Sequence, residues 1–173
     1  KRLKIKEKGF EIIVLEKNTI KEAVKIAPVL IHSALMEAKP IINSKLLNEL
    51  REDYKPKIQD FVGYIKETKD IIKINEEILD PYSITLRLRG IYLVERILSG
   101  KNYSYNDFKK WILEGIKNLK EIDVDYVYSS YLRIKKGLKP MVKEDNLREL
   151  LLILIDKTKR LENMLYGKKR KEA

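Results

Sequence analysis

The apolar residues of this chain recur at three- and four-residue steps through most of its length, and this spacing limits the fold more than any other feature. Such a period places apolar side chains along one face of an α-helix. It is clearest in residues 57–79, 83–98 and 145–166. Proline and glycine at Pro56, Pro81 and Gly100 separate the periodic stretches. We therefore predict a mainly α protein, built as a bundle of four to five longer helices.

Helix start signals support this interpretation. Thr19-x-x-Glu22 has the form of a capping box, and Ser104-x-x-Asp107 resembles one with Asp in place of Glu. Ser44 and Asp123 are the residue types preferred at a helix N-cap. Each of these positions is predicted to begin a helix.

The first segment has a different pattern, in which Leu3 and Ile5 alternate with basic residues before a Lys8-Gly9 turn. With the apolar, β-branched residues 10–15, this predicts a β-hairpin over residues 2–16. Two strands alone are marginal in water, so we expect the hairpin to pack on helices or to form the edge of a larger sheet. The predicted division is residues 1–43 as hairpin plus helix, 44–167 as helical bundle and 168–173 as basic tail. The chain begins at Lys1 without methionine, and we expect it to be the back part of a longer protein.

Composition excludes several classes of protein. Cysteine is absent, which rules out disulfides and thiolate metal sites. No apolar run approaches the roughly 18 residues that cross a bilayer, so we expect a cytoplasmic protein with no membrane contact. Abundant Lys, Glu and Ile with a single glutamine are typical of hyperthermophile proteins.

The sequence contains no complete catalytic site and predicts no cofactor for this stretch. His32 is the only histidine, and alone on an apolar helix face it is best interpreted as a packed residue. Glycine-rich phosphate loops and the Gly-x-Ser-x-Gly motif are absent. Asp123-x-Asp125 has the spacing of a metal-binding pair, but helix capping explains it better.

Basic character gives a more specific indication. The formal net charge of +11 favours a polyanionic partner, such as a nucleic acid or nucleotide. Tyrosines lie among the basic clusters and could stack on bases. The candidate contact residues are Arg87, Arg89, Arg96, Arg133, Lys135, Lys136, Tyr128 and Tyr131. The alternative stays open that the charge is a solvated surface and that the tyrosines belong to the core.

Two stretches resemble a known family. Phe10-Glu-Ile-Ile-Val-Leu, followed by Ala27-Pro-Val-Leu-Ile-His-Ser-Ala-Leu-Met, resembles the closing part of small archaeal nucleotidyltransferases of the DNA polymerase β superfamily. Asp80-Pro-Tyr-Ser-Ile-Thr-Leu-Arg-Leu-Arg-Gly-Ile-Tyr-Leu resembles the helical extension of some members. Members carry upstream a Gly-Ser turn and a pair of aspartates, neither of which occurs here.

The resemblance implies a specific chemistry if such an upstream domain exists. A nucleoside monophosphate would pass from a nucleoside triphosphate to a protein or RNA, with Mg²⁺ as cofactor. Glu11 is the candidate for the family's third carboxylate, with Glu16 competing, and an outward-facing strand residue is the alternative. Some relatives pair with helical ribonucleases that carry an Arg-x4-6-His motif, but no histidine follows Arg87 or Arg89, whose expected partner is Glu95.

Three hypotheses therefore remain open. The leading one is the C-terminal region of a nucleotidyltransferase-like protein, whose bundle positions an acceptor or partner. The alternative is a non-enzymatic basic module that binds RNA, DNA or a ribonucleoprotein. The third is an interaction protein or homodimer that uses the apolar 147–161 face.

Overall fold

The computed structural model describes residues 16–114, 121–139 and 141–167, and within these ranges the chain is almost entirely helical. Short 3₁₀ segments occur at Lys17–Thr19 and Ile58–Phe61. The α-helices are α1 (Ile20–Ile26), α2 (Pro28–Glu37), α3 (Ser44–Asp53), α4 (Val62–Ile78), α5 (Pro81–Leu98), α6 (Tyr105–Leu113), α7 (Glu121–Lys135) and α8 (Glu144–Gly167). The mainly helical class is confirmed, although these eight helices of the described ranges exceed the four to five predicted.

The predicted β-hairpin lies outside the described residues except at its last position. Glu16 has an extended backbone, with φ −78° and ψ 141°, and leads directly into the first 3₁₀ segment. The three described ranges contain no strand. The basic tail at 168–173 also lies outside them, so the hairpin and the proposed division of the chain stay predictions.

Helix α5 is the centre of the fold, because α2, α4, α6, α7 and α8 all pack against it. Its apolar residues Ile84, Leu88 and Ile91 are fully buried. The apolar face of α8 covers α5 and α4, and Leu154 and Leu161 have no exposed surface there. The face predicted for dimerisation is therefore occupied by the chain's own core.

A smaller apolar cluster joins the first three helices. Ile20, Val24 and Ile31 are its buried members, and residues of α3 pack on them. Arg51 of α3 donates hydrogen bonds to the carbonyl oxygens of residues 35, 36 and 38, at 2.8, 3.2 and 2.7 Å. These carbonyls end α2 and have no partner inside the helix, so Arg51 both caps α2 and holds α3 against it.

A hydrogen-bonded turn joins α4 to α5. Leu79 adopts a left-handed backbone with φ 53°, and Asp80 then caps α5 by accepting from the Ser83 amide at 2.9 Å. Asn75, which is 1% exposed, accepts from the Asp80 amide at 2.9 Å and donates to Ser83 Oγ at 2.8 Å. The predicted break at Asp80-Pro81 is confirmed, and a buried amide holds its geometry.

Two predicted helix boundaries are confirmed, the start of α6 and the end of α5. Ser104 caps α6, since its hydroxyl accepts from the Asp107 amide at 3.2 Å. Gly100 follows α5 with φ 65°, which is the left-handed conformation expected just after a helix.

Helices begin at Thr19 and Ser44 as predicted, but the predicted side-chain caps at Thr19, Ser44 and Asp123 are wrong, and local geometry gives the reason. The Thr19 hydroxyl donates to the Glu16 carbonyl at 2.8 Å within the preceding 3₁₀ segment, so it caps no amide of α1. Asn43, one residue before Ser44, caps α3 by accepting from the Leu46 amide at 3.1 Å. Helix α7 begins at Glu121, which places Asp123 inside the helix.

Candidate functional site

The predicted contact residues divide between two regions of the fold. Arg87, Arg89 and Arg96 lie on the central helix α5, whereas Arg133, Lys135 and Lys136 lie at the end of α7. The two groups have different surroundings. Most of the α5 arginine charge is engaged inside the molecule, whereas Lys135 and Lys136 are exposed and Arg133 is half-buried.

Arg87 is tied to α4. Its guanidinium donates to the Glu67 carboxylate, and its Cζ lies 5.1 Å from the centroid of the Tyr64 ring. The side chain of Arg87 is 13% exposed. The expected pairing with Glu95 is wrong, because Glu95 instead accepts a hydrogen bond from the Trp111 indole at 2.6 Å.

Arg96 is held at the start of α6. Its Nε donates to the Asn102 carbonyl at 2.9 Å, and its Nη2 lies 3.3 Å from the Asp107 carboxylate. Its Cζ is 5.7 Å from the Tyr92 ring centroid. A phosphate would have to displace these contacts before it could bind Arg96.

Arg89 differs from its neighbours, because no carboxylate of the described residues lies within ion-pair distance of it. Its Cζ is 5.0 Å from the Tyr103 ring centroid, and its Nε is buried without a hydrogen-bond partner in the described chain. The Tyr103 hydroxyl is likewise buried without a hydrogen bond of normal geometry, and it faces the Arg89 guanidinium and the Tyr128 hydroxyl. Burial raises the pKa of Tyr103 to about 12, so its hydroxyl keeps its proton and can donate.

The predicted stacking tyrosines are packed into the core. Tyr131 is 1% exposed, and its ring stacks on Tyr82 with centroids 5.3 Å apart. Tyr128 lies between Tyr131 and Tyr105, at centroid distances of 5.8 and 4.6 Å. A nucleobase could reach Tyr131 only if this packing opened, so base stacking by these rings stays a prediction without support from their exposure.

The connection between α7 and α8 carries a basic cluster. We call it the basic tip and define it as Arg133, Lys135, Lys136, Lys139 and Lys143. All four lysines are exposed, and among the described residues none of the five has a carboxylate within 4.0 Å.

Local structure holds the basic tip in shape. Gly137 reverses the chain with φ 74°, and the Arg133 Nε donates to the Lys139 carbonyl at 3.3 Å. The Met141 amide donates to Ser130 Oγ at 3.0 Å, which fixes the return of the chain toward α8. Hydrogen bonds on both sides of the tip therefore tie it to α7.

A groove lies between the α1–α2 junction and helices α4 and α5. Its volume is about 610 Å³, and most of its lining is apolar. We call it the α2–α5 groove; its polar lining residues are Lys25, Ser33, Glu37, Tyr64, Glu67, Arg87, Arg89 and Tyr103. Gly90 permits this geometry, since an added Cβ would lie 2.6 Å from Tyr64 Cζ and nearer still to its hydroxyl.

Other ionisable groups have structural partners. His32 is 1% exposed, and its Nε2 lies 3.2 Å from an Asp60 carboxylate oxygen. Burial lowers the His32 pKa despite this carboxylate, so the imidazole is neutral near pH 7.

The Asp125 carboxylate accepts from Lys109 Nζ at 2.8 Å and from the Tyr105 hydroxyl at 2.6 Å. These bonds lower the Asp125 pKa, with Lys109 the larger cause, and they link α6 to α7.

The described ranges contain no cluster of side chains arranged for metal binding. No group of three or more His, Cys, Asp or Glu side chains in them is arranged to hold a metal ion. Glu11 lies outside the described residues, so the third-carboxylate hypothesis stays a prediction. None of the helices described is both long and apolar enough for a membrane span.

Sequence reasoning identified the basic tip but missed the groove. Three of the tip residues were predicted contacts, because they form a short run of like charge. The groove combines side chains that are far apart in the chain, such as Ser33, Tyr64 and Tyr103. Only Gly90, a small residue inside an otherwise bulky helix, signals a close approach at this position.

Comparisons with known proteins leave the family open. No protein-family model matches the chain. No curated protein is significantly similar to it. No solved structure matches it either. The function must therefore be argued from the residues and their geometry.

Proposed function

We propose that this chain is a basic helical module that binds nucleic acid, and that the basic tip is its contact with the phosphate backbone. The observation that carries the proposal is a set of five neighbouring cations, none of which has a carboxylate of the described chain within 4.0 Å. Unpaired, exposed cations bind phosphates by releasing the counterions that condense on the nucleic acid. Such contacts position a nucleic acid without reading its sequence.

The α5 arginines have a different role in this proposal. Arg87 and Arg96 are already neutralised by Glu67 and Asp107, so binding a phosphate would cost the energy of their existing ion pairs. The exposed lysines of the basic tip carry no such cost. The tip is therefore the better phosphate site, even though it contains only part of the predicted contact set.

Salt-dependent binding tests this proposal. Affinity for a short duplex DNA and for a single-stranded RNA should be measured by fluorescence anisotropy at several salt concentrations. Five phosphate contacts would give a slope of log affinity against log salt of about −4.5 on duplex DNA. Replacing Lys135, Lys136 and Lys139 with Gln should make the slope about 2 to 3 units shallower.

A charge-matched variant controls for diffuse attraction. Lys21, Lys39 and Lys45 are exposed lysines of the first three helices and their connections, and their replacement with Gln changes the net charge equally. The proposal requires this control to keep the wild-type slope. Equal losses in the two triple variants would assign binding to overall charge and reject the basic tip as the site.

A second candidate function follows from the nucleotidyltransferase resemblance. We propose that the bundle would then present an acceptor to a catalytic domain that supplies Mg²⁺ and a nucleoside triphosphate. The stretch that resembles the family's helical extension, residues 80–93, forms most of the central helix α5, which is consistent with this role. The reading frame before Lys1 should then encode a Gly-Ser turn followed by Asp-x-Asp, and the complete protein should transfer radiolabel from a nucleoside triphosphate in Mg²⁺.

A further inference from the structure

Several residues that line the α2–α5 groove have a buried polar atom without a hydrogen bond in the described chain. Four buried side-chain atoms of the described residues lack a hydrogen bond, namely Ser33 Oγ, Thr85 Oγ1, Arg89 Nε and Tyr103 Oη. Three of these four belong to residues that line the groove, Thr85 being the exception. Buried polar groups without partners are rare, because each costs about 1–3 kcal/mol relative to a satisfied one. Their concentration at one cavity indicates that something completes them.

The charge at this cavity indicates what kind of group is missing. A half-buried guanidinium is unfavourable unless an anion or several acceptors face it. Arg87, two residues earlier in α5, already has Glu67, and Lys25 lies 2.8 Å from Glu22. Arg89 faces the hydroxyls of Tyr103, Tyr128 and Tyr131, which are neutral groups, and no carboxylate of the described chain lies within ion-pair distance of it. The group that best complements Arg89 therefore carries negative charge.

The rest of the cavity suits an organic body rather than a bare ion. Apolar side chains, among them Ile26, Val29, Leu30 and Leu93, form most of its wall. Its volume of about 610 Å³ lies within the range of roughly 300–1,000 Å³ that small-molecule sites occupy. An apolar wall with a few convergent polar groups is the usual composition of such sites.

We infer that the α2–α5 groove binds a small organic anion, whose acidic group is held by Arg89 with the Ser33 and Tyr103 hydroxyls and whose apolar body lies along the groove wall. Carboxylates and phosphate esters share this chemistry, and both accept the planar donor fork of an arginine. The site is separate from the basic tip, because it takes one small ligand by shape and charge, whereas the tip takes an extended backbone by charge alone.

Two fluorescent probes that differ in one acidic group test this inference. 1-Anilinonaphthalene-8-sulfonate has an apolar ring system with a sulfonate, and N-phenyl-1-naphthylamine has the same rings without it. The native chain should bind the sulfonate probe saturably at one site and more tightly than the neutral probe. Arg89→Met should lower the affinity for the sulfonate probe about tenfold or more, since hydrogen bonds to charged groups have this magnitude. The affinity for the neutral probe should stay within about threefold of the wild-type value.

Two further variants make the test independent of folding defects. Arg96→Met removes a partly buried arginine of the same helix outside the groove, and both probes should bind it as they bind the wild type. Leu86 lines the groove but is 36% exposed, so its replacement should preserve the fold. Leu86→Glu should repel the sulfonate probe, while Leu86→Gln should retain it.

Competition identifies the acidic group. Benzoate and adenosine monophosphate should displace the sulfonate probe to different extents, which separates a carboxylate ligand from a phosphate ester. The inference is overturned if the native chain shows no saturable site for the sulfonate probe. It is also overturned if Arg89→Met and Leu86→Glu leave that probe unaffected, or if they weaken both probes equally. Nucleic-acid binding should be unchanged in Arg89→Met, so failure of one proposal is distinguishable from failure of the other.

Discussion

Replacing Gly90 with alanine tests whether the contact between α4 and α5 is as close as the structure places it. In an ordinary helix this change stabilises by about 0.8–1 kcal/mol, because glycine is the poorer helix former. Here the new methyl group would lie 2.6 Å from Tyr64 Cζ, a distance that non-bonded carbons do not adopt. Tyr64 must therefore rotate away from α5.

The displacement of Tyr64 has a calculable cost. Overpacking of this kind costs about 1–3 kcal/mol. Tyr64 would also leave the Arg87 guanidinium, whose Cζ lies 5.1 Å from the ring centroid, with a further loss of about 0.5–1 kcal/mol. Against the gain in helix propensity, we expect Gly90→Ala to lower the free energy of unfolding by about 1–2 kcal/mol, or roughly 2–8 °C in melting temperature.

Gly63→Ala is the matched control, because Gly63 also lies in a helix but an added Cβ would have open space around it. This variant should be stabilised by up to about 1 kcal/mol. In a Tyr64→Ala background the obstruction is gone, so Gly90→Ala should become stabilising as well. Thermal and urea denaturation of the four variants measures each value. Equal stabilisation by Gly90→Ala and Gly63→Ala in the wild-type background would refute the close contact.

Three more variants test buried polar groups. Asn75→Ala should lower the free energy of unfolding by about 2–3 kcal/mol in urea denaturation, since it leaves buried partners unsatisfied, whereas the exposed control Asn163→Ala should stay within about 0.5 kcal/mol. Lys157 Nζ lies 4.5 Å from the Trp111 ring centroid, so Lys157→Met should cost about 0.5–2 kcal/mol; an unchanged Trp111 emission spectrum would contradict this contact. Burial lowers the His32 pKa, so the unfolded chain binds a proton first as pH falls. The free energy of unfolding of the wild type should therefore decrease below about pH 6.5, the pKa of histidine in the unfolded chain. Denaturation at pH 7.5 and 5.5 should show a smaller decrease for His32→Gln.

Regular helices with strong apolar periods could be predicted from the sequence. The stretches at 57–79, 83–98 and 145–166 correspond to α4, α5 and α8, because one buried face fixes both the period and the orientation of a helix. Ser104 and Gly100 marked ends correctly, since each acts on backbone groups within a few residues. Local physics was sufficient for these elements.

Predictions that depended on a choice between nearby residues were less successful. Asn43 and Ser44 are both suitable caps, and the capping residue is Asn43, with a left-handed backbone of φ 57°, one residue earlier than predicted. Arg87 was expected to pair along its own helix, but its partner Glu67 comes from α4, which packs alongside. The α2–α5 groove depends on contacts between distant segments, and a periodic pattern in one segment contains no information about them.

The aromatic residues around Trp111 have a practical consequence for following how this chain folds. The chain has one tryptophan and 10 tyrosines. Tyr92 lies 5.4 Å from Trp111, and Phe108 links both rings to Tyr128. Excited tyrosine transfers energy to a nearby indole, so in the native chain Trp111 emission should include energy absorbed by the tyrosines at the junction of α5, α6 and α8. The decrease of Trp111 emission excited through tyrosine would therefore report when these helices separate during unfolding, without an attached dye.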